Sequence, residues 1–420
     1  MTDRGEGPDE RFVVGLDIGG ANLKLAWRRG DRASAVSKYF PMWQEHCNLS
    51  QAIRDLLFEL QEPPSQIAVT MTGELADCFA SREVGVSAIL RAVQEARQEI
   101  PTVVYSVDDE WFSLDEAIAC LPAKTWAFAA SNWKALATWI AQLPQFAGRS
   151  GIMVDIGSTT VDVIPFESGR VATSAKTDHD RLLAKQLVYT GLERTPICAI
   201  VSSVKVGNAD CPVMAERFAE SQDAYLLLGE LASDEDCCDT ADGRPRLPKF
   251  AAARLARMVG EDSARMKNED LLQIAEEIVQ TQVDQVLRAM KQNLPDVAAS
   301  QHSLVCFCGH AAGMFRRLTE GLPFVADTVQ LAAIVGEDVA RSAPAFALVE
   351  LAQSETSHPE VIGLMSSSEV RVVKVGGSLL DIPNLGDRLA SWLSQQPRAV
   401  SLFVVGGGGL VDAVRDLDSK

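Results

Sequence analysis

"FVVGLDIGGANLKLAW", residues 12–27, places an aspartate and two glycines between two apolar runs. A strand that carries a charge at Asp17 and stops at Gly19-Gly20 calls for a reason. "IMVDIGSTTVDVI", residues 152–164, repeats the shape 138 residues later, with Asp155 in the place of Asp17 and Gly157 in that of Gly19. Ser158 then stands where Gly20 does, and Asp162 where Lys24 does. A glycine-rich turn points several backbone N–H groups into one concavity, which makes an anion site. A carboxylate just before the turn would repel a phosphate unless a cation lies between them. A magnesium ion or its bound water answers that need. One copy alone reads equally well as an ordinary hairpin with glycines for positive φ. A matched pair within one chain favours two lobes that close on one metal-phosphate ligand. Asp17 and Asp155 are then the metal-facing carboxylates. Gly19, Gly20, Asn22 and Lys24 face the ligand on one side, and Gly157, Ser158, Thr159 and Thr160 on the other. The three hydroxyls of the second turn suit phosphate oxygens.

The bulk of the chain fits this reading. Its 420 residues imply two or three domains. Hydrophobic content of 47% and charged content of 23% are those of a soluble globular protein. The formal net charge of −18, with no basic block, argues against nucleic-acid or anionic-membrane partners. No apolar run approaches the ~20 residues of a membrane span. "MTDRGEGPDER" is polar and acidic, and no apolar segment follows it as a signal peptide requires. With nine scattered cysteines and no CxxC pair, a cytoplasmic protein with free thiols is expected. Cys306 and Cys308 lie along one strand-like run and read as buried small apolar residues. Cys237-Cys238 lies in an acidic loop, where metal binding is the alternative.

Residues 1–10 read as a disordered tail. Beyond them strand-like and helix-like segments alternate, the mark of an α/β layer fold. "RFVVGLDIGG" with "LKLAWRRG" reads as a hairpin, "SQIAVTMTG" and "PTVVYSV" as strands, "LSQAIRDLLFELQ" and "NWKALATWIAQL" as helices. "ICAIVSSVKV" reads as strand after residue 196. Residues 261–293 form the longest helical pattern, with a core-facing stripe through Leu271, Ile274, Ile278, Val283 and Leu287.

The paired turns, followed by "SLVCFCGHAAGMF" with Gly309 and Gly313, resemble the superfamily of actin, sugar kinases and chaperone ATPases, the ASKHA fold. The resemblance covers residues 12 to about 350. It implies that the hairpins are the two phosphate motifs and that the third glycine motif touches adenosine, so that ATP is one possible ligand. A sugar-kinase catalytic aspartate is not identifiable. "VTMTGELAD" (69–77), "AASNW" (129–133), "TDHDRLLAKQLVYTGLERTPICAI" (177–200) and "TADGRP" (240–245) are instead similar to the hydantoinase/oxoprolinase branch. Within it they resemble proteins linked to tetrahydromethanopterin-dependent one-carbon transfer. Archaeal members of that group include the synthase of methanofuran biosynthesis, which joins a furan diphosphate to glutamyl-tyramine and releases pyrophosphate.

The resemblance implies a magnesium-dependent transferase that joins a furfuryl diphosphate, a small-molecule diphosphate, to an amine-bearing or phenolic acceptor with release of pyrophosphate, with Asp17, Asp155, Asp178 and Arg181 as catalytic residues. An ATP-dependent hydantoinase/oxoprolinase-like hydrolase and a non-catalytic, actin-like nucleotide-binding protein are the alternatives. Thr72, Gly73 and Glu74 sit at a strand end, where α/β ligands bind, or form a plain strand-to-helix turn. Asp178, Asp180 and Arg181 hold a metal or phosphate, or form a surface ion pair. Arg194, Asp242 and Arg244 lie in turns free to clamp a charged substrate, or are solvated loop charges. Asn132 reads as a helix N-cap, and His179 and His310 as incidental.

Residues 11–150 are expected to form lobe I, 151–352 lobe II with its closing helices, and 353–369 a linker. Residues 370–420, with "VVKVGGSLL" and "FVVGGGGLVDAV", resemble the start of an amino acid kinase domain. Lys374, Gly376, Gly377, Ser378 and the turn Gly406 to Gly409 would there meet phosphate. Two parallel strands cannot bury both faces, so this α/β segment is expected to lack activity of its own. Its expected partner is the remainder of such a domain or a second copy of the chain.

Overall fold

The computed structural model describes residues 11–295, 303–309, 312–322, 326–356, 370–375, 385, 388, 392 and 400–405. Two units are present, Met1–Ala352 and Gln353–Lys420.

The larger unit contains two sheets of the same design. In the first, β1 (Val13–Ile18) pairs antiparallel with β2 (Asn22–Arg29), and β2 with β3 (Arg32–Tyr39). On the other side of β1, β4 (Gln66–Met71) and β5 (Thr102–Tyr105) continue in parallel, and β6 (Trp111–Ser113) closes the order β3-β2-β1-β4-β5-β6. The second sheet uses β7 (Ser150–Ile156), β8 (Val161–Glu167), the short β9 (Arg170–Val171) and β10 (Leu187–Val188). After a separate hairpin of β11 (Ser203–Val206) and β12 (Ala209–Pro212), β13 (Ser303–Gly309) and β14 (Ala326–Gln330) complete it. Its order is β10-β8-β7-β13-β14. In both sheets an antiparallel hairpin comes first and two later strands add in parallel on its far side, β4 and β5 in one and β13 and β14 in the other, while β6 and β10 pair antiparallel at the edges. This is the duplicated two-lobed α/β plan of the ASKHA fold.

Strands covered on both faces read as continuous apolar runs, which is why β1 and β13 are almost wholly buried. Helices α1 (Leu49–Phe58) and α2 (Arg82–Ala96) cover the outer face of the first sheet. Helix α3 (Asn132–Gln142) packs in a central core with residues of both sheets. After α4 (Asp178–Leu183), the long α5 (Asn268–Asn293) covers the second sheet, and all five residues of its expected stripe are buried. Helix α6 (Ala343–Thr356) returns to the central core. It approaches β1 so closely that a Cβ on Gly15 would lie 1.8 Å from the Ala345 carbonyl oxygen.

Three local expectations are corrected. Residues 197–206 are not one strand: Ile197–Ile200 is a helical turn that buries Ile197 and Ile200, three residues apart, and only Ser203–Val206 is extended. The long helix starts at Asn268, preceded by a separate 3-10 turn over Ser263–Arg265. Asn132 is the first helical residue rather than the cap. Ser131 precedes the helix, and its hydroxyl is bonded to Thr70 Oγ1 at 2.7 Å.

In the smaller unit β15 (Val370–Val375) and β16 (Val400–Val405) pair in parallel, with Lys374 opposite Val404. Gly376, Gly377, Ser378, Gly406 to Gly409, His310 and residues 357–369 lie outside the described residues. No described helix is long and apolar enough to cross a membrane.

Candidate functional site

The sequence repeat is also a structural one. Gly19 N–H donates to the Asn22 carbonyl at 3.0 Å, and Gly157 N–H donates to the Thr160 carbonyl at 2.9 Å. Asp17 stands across its hairpin from Lys24, and Asp155 across its own from Asp162. None of Gly19, Gly20 and Gly157 adopts a positive φ, so left-handed backbone is not why they are glycines. At Gly19 a Cβ would press to 2.9 Å from the Asn22 carbonyl oxygen, whereas around Gly20 a Cβ would meet nothing within 4 Å. The first turn thus presents bare backbone to open space.

That space is a cavity of about 400 Å³ whose walls include both turns and Asp17, Asp155, Thr72 and Glu74. Asn22, Lys24, Asp178, Arg181 and Arg194 also line it. Gly73 lies just behind, where a Cβ would come within 3.0 Å of the Gly19 carbonyl oxygen. Besides Gly73, four expected residues are not on this wall. Gly309 (φ +90°) sits behind Asp155, where a Cβ would lie 2.3 Å from the Ile156 carbonyl oxygen. Gly313 lets its helix pack on Glu230. Asp242 and Arg244 are bonded to each other at 2.7 Å, and Asp242 also accepts from the buried Arg254 at 2.9 Å. Arg254 in turn grips the buried Asp223, so Asp242 is tied into the packing of the second lobe.

Asp17 is 4% exposed, and its Oδ1 has no hydrogen-bond partner. Burial raises its carboxyl above the ordinary range, against the opposing charge of Lys24. Glu74 is 1% exposed with Oε2 unpartnered, and burial pushes it up to about 7. Asp162 is also pushed up by burial, with Arg181 opposing. Arg181 donates to Asp162 and, at 2.7 Å, to Asp178, while its guanidinium lies over the buried Trp133 ring. Asp178 is also gripped by Arg82 of α2. Despite its partial burial, these two arginines hold its carboxyl below the ordinary range. Asp180 caps α4 in a capping box with Thr177.

Sequence reasoning missed several residues that shape the cavity. Trp43 and Tyr189 line it and are partly exposed, and Arg194 lies over the Trp43 ring. Gly191 is backed against the second turn, where a Cβ would lie 2.5 Å from backbone atoms of Ser158 and Thr159. Its carbonyl accepts from the fully buried Gln282 of α5 at 2.7 Å. The glycine in "YTGLERTP" was a signal for such close approach; Arg82 and Gln282 gave none.

Carboxylates, hydroxyls and bare turns around one cavity suit an oxyanion ligand with a hard cation between. Comparison with known proteins gives the chain relatives. The model of the family described as hydantoinase/oxoprolinase matches residues 66–354. The chain is 30% identical over 347 residues to (4-{4-[2-(gamma-L-glutamylamino)ethyl]phenoxymethyl}furan-2-yl)methanamine synthase of Methanocaldococcus jannaschii, covering 82% of this chain and 98% of that protein. It is 31% identical over 144 residues to the protein of the same name from Methanococcus vannielii, covering 34% of this chain and 64% of that one. Among solved structures, acetone carboxylase is similar at 10% identity and a TM-score of 0.46, covering 81% of this chain and 70% of that one. The ethanolamine utilization protein EutJ from Carboxydothermus hydrogenoformans is similar at 13% identity and a TM-score of 0.40, covering 83% and 92%.

Proposed function

The chain belongs to the hydantoinase/oxoprolinase family, and from that premise we propose that it is a magnesium-dependent transferase of methanofuran-type cofactor biosynthesis, in tetrahydromethanopterin-linked one-carbon metabolism. It joins a furfuryl diphosphate to a phenolic acceptor and releases pyrophosphate. The relative from Methanocaldococcus jannaschii is named for a phenoxymethyl-furan product, which supports an aryl ether as the bond formed. The observation that carries the reading is the facing of both glycine turns, with Asp17 and Asp155, on one cavity.

Among the described residues no cluster of three or more His, Cys, Asp or Glu side chains could hold a metal, so a magnesium ion would rest on one or two carboxylates and take its other ligands from phosphate and water. Asp17 keeps a buried carboxylate oxygen without a partner, and oxygen donors are the ligands this ion takes. Asp17 and Asp155 would hold it, and when bound it neutralises charge on the departing diphosphate. The chain's own groups bind and orient. Lys24 and the hydroxyls of Ser158, Thr159 and Thr160 suit the phosphate oxygens. Trp43 and Tyr189 offer ring faces to a furan or a phenol. No protein nucleophile is needed, because the acceptor oxygen attacks the furfuryl carbon directly.

The test is to supply the chain with furfuryl diphosphate, a tyramine-type phenol and magnesium. Pyrophosphate and the aryl ether should appear in equal amounts. Hydrolysis of ATP without ether formation would favour the hydantoinase/oxoprolinase-like hydrolase or the nucleotide-binding alternative.

A further inference from the structure

Glu74 lies in the 3-10 turn Gly73–Leu75 that follows β4, on the cavity wall. The turn has little room to move. A Cβ on Gly85 of α2 would lie 2.3 Å from the Glu74 carbonyl oxygen, and one on Gly73 would press on Gly19. A carboxylate buried for structural reasons normally has its oxygens satisfied. Here Oε2 has no partner, and the nearest cation, Arg82, reaches Oε1 only at 3.5 Å. The same guanidinium is drawn towards Asp178 by a much closer contact. A buried acid left in this state costs stability, and such cost is characteristic of functional sites.

We propose that Glu74 is the general base that takes the phenolic proton of the acceptor as the aryl ether forms. The proposal rests on the transferase reading above. The O–H proton passes to Glu74 Oε2, and the oxygen's electron pair forms the new bond to the furfuryl methylene. The bond from that methylene to the diphosphate oxygen breaks, and its electron pair leaves with pyrophosphate. Glu74 then returns the proton to solvent.

The chemistry of the surroundings agrees. A phenol ionises near pH 10, so an ordinary carboxylate near 4.5 is a weak base for it. Burial pushes Glu74 up to about 7, against its own backbone amide, the Arg82 charge and the Ala130 amide, while Asp178 adds to the rise. Arg82 from α2 and Asp178 from α4 are thus the charges that act on it. Asp17, Lys24, Asp155, Asp162 and Arg181 face the same cavity.

The experiment compares wild type and Glu74→Gln with two acceptors: a tyramine-type phenol, and its ring-polyfluorinated form, which is already ionised at assay pH. With the ordinary phenol, Glu74→Gln should lose roughly 10²–10⁴-fold in turnover. With the fluorinated phenol it should return to within about tenfold of wild type, because no base is then required. The wild-type rate on the ordinary phenol should fall as pH drops through about 7. Equal loss with both acceptors would make Glu74 a structural residue, and no loss with either would remove it from the reaction. A wild-type chain that releases no pyrophosphate with either phenol overturns the transferase reading and this inference together. A wild-type chain that turns over alongside an equally active Glu74→Gln overturns the inference alone.

Discussion

Arg82 on α2 of the first lobe is ion-paired with Asp178 at the start of α4 in the second. Both side chains are mostly buried, at 14% and 19% exposure. The pair is the second of four links in a charge chain, Glu74–Arg82–Asp178–Arg181–Asp162. The chain starts at the strand-end turn of one lobe and ends across the hairpin from Asp155 in the other. The relative position of the two glycine turns is therefore set partly by ions that, Arg82 apart, line the same cavity.

A double-mutant cycle measures that link. Arg82→Ala and Asp178→Ala should each lower stability, and their coupling in denaturant unfolding should be about 1–2 kcal/mol. Additive effects would show that the pair contributes nothing across the lobes.

Asp17→Asn and Asp155→Asn should each reduce magnesium-dependent turnover by about 10²–10³-fold with the fold intact. Asp17→Asn should do so while the melting temperature without magnesium stays level or rises. The folded-state carboxyl is raised by burial, so its ionised form costs stability at neutral pH. A large fall in melting temperature would mean that Asp17 is structural.

Glu74 predicts a pH dependence of stability separate from any assay of turnover. A folded-state value of about 7 against an ordinary 4.5 corresponds to a penalty of roughly 3 kcal/mol when the group is ionised. The sign follows from proton binding: the folded state holds the proton more tightly, so the penalty is full above about 7 and fades as pH falls towards 4.5. Glu74→Gln should melt above wild type at pH 8, with the gap closing near pH 5. Thermal scans at the two pH values check this.

Gly191→Ala should disturb the second turn without touching ligand chemistry. Its Cβ would lie 2.5 Å from Ser158 and Thr159 backbone, so the turn has to move. Overpacking of this kind costs about 1–3 kcal/mol. The expected result is a raised KM for the diphosphate together with a lower melting temperature. Unchanged KM would show that the loop 190–195 does not hold the turn.

The sequence by itself determined the duplicated strand-turn-strand plan. Asp17 and Asp155, with their glycine turns, lie 138 residues apart and close with equivalent hydrogen bonds. Turn chemistry and strand patterning act over a few residues, and a repeated local code produces a repeated local shape. The burial of Cys306, Cys308 and the α5 stripe was legible for the same reason, because apolar periodicity reports a face. The tertiary structure alone decided which polar residues meet. Asp242 and Arg244 carry the same letters as a ligand clamp, yet Arg254, from a separate helix, draws Asp242 into the scaffold. Glu74 owes its raised carboxyl to burial, and Asp178 its lowered one to Arg82 and Arg181, the first of which no spacing in the sequence ties to it. Long-range ion pairs and burial depend on how two lobes close, and the charge a residue carries is set by that closure rather than by its neighbours along the chain.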